Sequence, residues 1–99
     1  MKLEIHLQEG FTGGDEIEIR ADGKLVFQGK PKTRMQTGLA HLFEFEAQEK
    51  PIRLSVSMPG RNLHETFQVT PSLTPQVGLS LDETGKLKVN TSVEPFGYV

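Results

Sequence analysis

Apolar and polar residues alternate along most of this chain with a period of two, the pattern of half-buried β-strands. Residues 2–8 set Leu3, Ile5 and Leu7 against Lys2, Glu4 and His6. Residues 15–28, DEIEIRADGKLVFQ, hold two alternating runs around Ala21, Asp22 and Gly23 and read as a hairpin. A three-residue loop at those positions sets Ile19 opposite Leu25 and Ile17 opposite Phe27. Glu16, Glu18, Arg20, Lys24, Val26 and Gln28 then share the other face. A two-residue loop would instead put Ile19 opposite Val26 and Glu18 opposite Phe27. A one-residue slip inverts every side chain, so burial favours the first register. Gly23 also falls where a three-residue loop needs a left-handed residue.

Three further runs, residues 39–47, 52–58 and 63–70, read as a meander. A four-residue loop at 48–51 would pair Ala47 with Ile52 and Phe45 with Leu54. Another at 59–62 pairs Leu54 with Phe67 and Ile52 with Val69. That register puts Glu65 on the inner face beside Val56, where its carboxylate must stay wet, because an unpaired buried charge is costly. Pro71 and Pro75 bar residues 71–75 from a central strand, so this segment is expected to cross between sheets. Val77, Leu79 and Leu81 then face Leu87 and Val89, paired 81 to 87 and 79 to 89 through the loop Glu83, Thr84 and Gly85. Residues 9–14 are a glycine-rich loop. Residues 29–38, with Pro31 and several cations, suit a loop or an edge strand.

These elements predict an all-β fold: a two-layer antiparallel sandwich of about seven or eight short strands, immunoglobulin-like or prealbumin-like, with a small barrel as the alternative. Residues 1–99 are expected to form one domain, with 93–99 as a C-terminal tail.

Composition narrows the chemistry. There is no cysteine, which excludes disulfides, thiolate zinc sites and a cysteine nucleophile. A net charge of −2 gives no overall attraction to nucleic acid or to anionic lipid. The first residues, MKLEIHLQEG, lack the apolar core of a signal peptide, so the expected compartment is the cytoplasm.

His6 is expected on the polar face of its strand, His41 inward, and His64 outward. Their spacing matches no metal motif, and there is no GxSxG elbow or P-loop. No metal site is the first reading; the alternative is a calcium site using Asp15 and Glu16, since calcium takes loop oxygens. The stretch GGDEIEIRADGK, 12 residues, is similar to calcium-dependent sugar-binding modules of sandwich fold. That resemblance implies carbohydrate as a ligand. Lys24, Lys30, Lys32 and Arg34 make a basic cluster. Single-stranded nucleic acid would want aromatics among them, and residues 30–37 hold none. The blander reading is a solvated edge that resists aggregation.

Apolar residues in segments that should be exposed are more informative. Phe11 lies in the glycine loop, Met35 in the basic segment, Phe96 and Tyr98 in the tail, and Leu42 has the wrong parity for its strand. Phe11, Met35, Phe96 and Tyr98 are the candidate binding residues if they converge; otherwise the tail folds back and Phe96 caps the end of the sandwich. The expected function is a small non-enzymatic binding or protein-interaction module. Its expected partner is another protein or a further copy of itself, with no nucleic acid, membrane or cofactor. A carbohydrate-binding sandwich with calcium is the alternative. A small enzyme comes third and would need a deep pocket holding His41 beside an acid of shifted pKa.

Overall fold

The computed structural model describes residues 1–97. Two four-stranded sheets face each other. One has the order β4–β1–β7–β8, built from β4 (His41–Glu46), β1 (Lys2–Leu7), β7 (Gln76–Leu81) and β8 (Leu87–Ser92). The other has the order β3–β2–β5–β6, from β3 (Lys24–Gly29), β2 (Ile17–Ala21), β5 (Ile52–Met58) and β6 (Leu63–Val69). The fold is therefore an all-β sandwich. The parallel pairing of β1 with β7 makes the first sheet mixed.

Alternation explains the core. Leu3, Ile5 and Leu7 of β1, Ile17 and Ile19 of β2, Leu54 and Val56 of β5 and Val77 and Leu79 of β7 are fully shielded from solvent. All lie on the four central strands. Apart from Val69 of β6, which is buried, the outer strands β3, β4, β6 and β8 bury their inward residues only partly, because among the described residues no further strand pairs with their outer edges. At roughly 1.5–3 kcal/mol per large apolar side chain buried, the central strands carry most of the driving force.

The β5–β6 hairpin has the expected register, with Ile52 opposite Val69, Leu54 opposite Phe67 and Val56 opposite Glu65. Glu65 is exposed, as its charge requires. Residues 71–75 do cross between the sheets. Leu81 faces Leu87 and Leu79 faces Val89, closed by Gly85 at φ +85°.

Two expectations are corrected. The first concerns the meander. β4 does not pair with β5 but lies in the other sheet beside β1, with Phe45 opposite Leu3, Phe43 opposite Ile5 and His41 opposite Leu7. Ala40 and Ala47 extend that ladder through backbone N–H bonds to Leu7 and Met1. Inward parity is the same on either partner, and a short connection serves a hairpin or a sheet change equally well. The second concerns β2–β3. Its loop has two residues, Asp22 and Gly23, both with positive φ, +49° and +84°. This is the primed turn whose twist matches that of the strands. Asp22 is held from the neighbouring strand: its N–H donates to the Arg53 carbonyl, and its carboxylate accepts from the Arg53 N–H at 2.9 Å. Val26 is an extra, bulged residue, which sets Ile19 opposite Phe27, Ile17 opposite Gly29 and Leu25 opposite Arg20. Leu25 is left exposed and Val26 packs against the core in its place.

Candidate functional site

β3 and β4 are the edge strands on one side of the sandwich, one in each sheet. Among the described residues, neither has a ladder partner on its outer side. The open seam between them is the candidate site. Near one end Phe27 of β3 stacks on His41 and Phe43 of β4, with ring centres 4.8 and 4.9 Å apart. Phe45 continues the stack from Phe43 at 6.5 Å. At the other end the seam widens into a cleft of about 570 Å³. Its walls are Ala21, Val26, Phe45, Ala47 and Ile52, and Asp22, Lys24, Glu46 and Lys50 ring the mouth. Two alanines explain the opening. Ala21 and Ala47 stand where neighbouring inward positions carry Ile or Phe, and a methyl group is too short to close the gap. An apolar floor with a few charged groups at the rim is the usual make-up of a binding cleft.

The four residues read as binding candidates do not converge. Phe11 is only 4% exposed and belongs to the core, so its expected place on a surface is corrected. The loop around it is tied down: Phe11 N–H donates to the Thr33 hydroxyl, and that hydroxyl donates to the Gln8 carbonyl. Met35 is fully exposed in the turn in which the Gly38 N–H bonds to the Arg34 carbonyl. Phe96 is half-buried, edge-on to His6 at 5.0 Å, so it lies over the outer face of the β1 sheet rather than capping the end of the sandwich. Tyr98 lies outside the described residues.

His6 is corrected from a polar face to a buried one, at 3% exposure. Gln76 donates its amide N–H to Glu4 at 2.7 Å, which leaves its carbonyl oxygen to accept from His6 Nε2, also at 2.7 Å. His41 is corrected too: it has inward parity but sits exposed at the edge. His64 Nδ1 lies 2.7 Å from the Ser57 hydroxyl on the outer face of the β5 sheet. Asp15 accepts from Arg61 Nε at 2.8 Å and Glu16 accepts from the Gln28 amide, so different partners engage the two acids of the calcium alternative. Among the described residues, no group of three or more His, Asp and Glu stands together as a metal would require. Asp82, in the β7–β8 turn, is held below the usual carboxylate range, first by the Thr84 hydroxyl and then by the Lys86 N–H.

Periodicity missed Leu25, Val26, Ala47 and Lys50. Two signals pointed to them. Leu25, Val26 and Phe27 are three apolar residues in a row, which strict alternation cannot accommodate and a bulge can. The other is charge order: from Gly23 to Phe43 there are four cations and no acid, and Glu44, Glu46 and Glu49 follow directly.

Searches of protein-family models, curated proteins and solved structures find no match to this chain. Among the described residues, no helix is long and apolar enough to cross a membrane.

Proposed function

We propose that this chain is a small non-enzymatic interaction module whose working surface is the seam between β3 and β4. The observation that carries the reading is the cleft of about 570 Å³, lined by apolar and polar side chains alike, opening beside strand edges that have no ladder partner among the described residues. An edge offers a row of backbone donors and acceptors to an extended segment, and an adjacent pocket selects among its side chains. Leu25, 40% exposed at the mouth, adds apolar area that a partner would cover.

The test is a selection of random extended peptides on the dilute chain, followed by amide chemical-shift mapping. Selected peptides are expected to shift the amides of β3, Ala47 and Gln48, and Ala47→Arg, which fills the cleft, is expected to abolish binding. Peptides that shift amides elsewhere, or that bind Ala47→Arg unchanged, would overturn the reading. A panel of glycans with calcium, run in parallel, reads the carbohydrate alternative.

A further inference from the structure

Resting on that reading of the seam, we infer that its occupant is a second copy of this chain, joined edge to edge so that β3 of each copy pairs with β4 of the other. Charge distribution is the first support. Lys24 and Lys30 bracket β3, Lys32 and Arg34 follow, and no acid occurs from Gly23 to Phe43. β4 carries Glu44 and Glu46 and no Lys or Arg. Both glutamates meet cations of their own chain, Glu44 with Lys2 at 3.2 Å and Glu46 with the N-terminal ammonium at 3.5 Å. These are exposed ion pairs of the kind that contribute little and exchange readily.

Strand direction is the second support. Lys24, Leu25 and Val26 share the cleft with Phe45 and Glu46, while Phe27 stacks on Phe43 and His41. β3 therefore ascends as β4 descends, at matched levels. A twofold axis parallel to the strands keeps levels and directions. It sets β3 of one copy antiparallel to β4 of the other, twice over, with Lys24 at the level of Glu46 of the second copy. A twofold axis across the strands would instead set β3 against β3, turning Lys24 toward the Lys30 end of its equivalent, and β4 against β4, bringing the two Glu44 residues together. Like charges in register oppose that arrangement, so the same residues that attract in one pairing exclude the other. The favoured arrangement is closed and self-complementary, continues both sheets through antiparallel ladders, and faces the two clefts toward each other with Leu25 between them. Lysines that guard β3 against indiscriminate pairing then become the selector for one partner strand.

A charge swap tests this. Light scattering during size exclusion, taken up to millimolar concentration, is expected to show the wild-type mass rising from 11.0 kDa toward twice that value. The variants Lys24→Glu with Lys30→Glu, and Glu44→Lys with Glu46→Lys, are each expected to hold at 11.0 kDa, and their equimolar mixture to rise again. A wild type that stays monomeric, a double variant that assembles like the wild type, or a mixture that stays monomeric overturns the inference. Leu25→Glu, on the same edge, serves if either double variant melts early: it holds as a monomer if the inference is right, and wild-type assembly by it overturns the inference. A monomeric wild type removes the second copy alone, because the peptide selection reads the seam independently in dilute solution.

Discussion

Single residues set tight limits where backbones meet. Gly10 has φ +93°, and a Cβ built there would lie 2.3 Å from the Leu81 carbonyl oxygen. Gly23 has φ +84° but open space around it. The two separate strain from collision. Gly23→Ala is expected to cost about 1–2 kcal/mol, the left-handed penalty alone. Gly10→Ala adds overpacking against β7 and is expected to cost about 2–5 kcal/mol. Urea unfolding of both variants checks this; equal losses would show that the contact with Leu81 relaxes freely. Gly23 was legible from its turn. Gly10 was not, because the carbonyl it must avoid belongs to a residue 71 positions away. Phe11 teaches the same point: in a glycine-rich loop it reads as exposed, and only the fold shows the core folding over it.

Elements differ in how locally they are specified. The β7–β8 turn is local. Asp82 accepts from the Thr84 hydroxyl at 2.7 Å, the Thr84 N–H at 2.9 Å and the Lys86 N–H at 3.0 Å. These bonds favour the carboxylate and lower its pKa in the fold. A lowered folded pKa contributes stability that is fully present above the unfolded value, about 3.9, and lost as pH falls through the folded one. The difference in melting temperature between wild type and Asp82→Asn is therefore expected to be constant from neutral pH down to about 5 and to narrow toward pH 2.5. A gap unchanged at the acid end would remove Asp82 from the turn's stability. The β2–β3 hairpin is less local. Its strands and Gly23 were readable, but its register depends on a bulge at Val26 and on Arg53, a strand away, gripping Asp22.

At the scale of the whole molecule, partnership is long-range. β1 pairs with β4 some 40 residues later and with β7 some 70 residues later, as Leu3 with Phe45 and Ile5 with Val77 show. Loops of that length must close before their contacts form, so refolding is expected in milliseconds to seconds rather than microseconds. Stopped-flow far-UV dichroism measures it; microsecond refolding would mean that local hairpins carry the transition state.

The chain by itself determined its strands, the inward faces of all but β3, two of its hairpin registers and the crossing at residues 71–75, because a period of two and the chemistry of Gly, Pro and Asp act over a few residues. It also excluded cysteine chemistry outright. Tertiary structure alone decided which sheet β4 joins, where Phe11 and Phe96 go, why His6 is buried, and that β3 and β4 stand side by side over an unfilled cleft. Those features depend on which faces meet across the sandwich, and inward parity is blind to the identity of the partner.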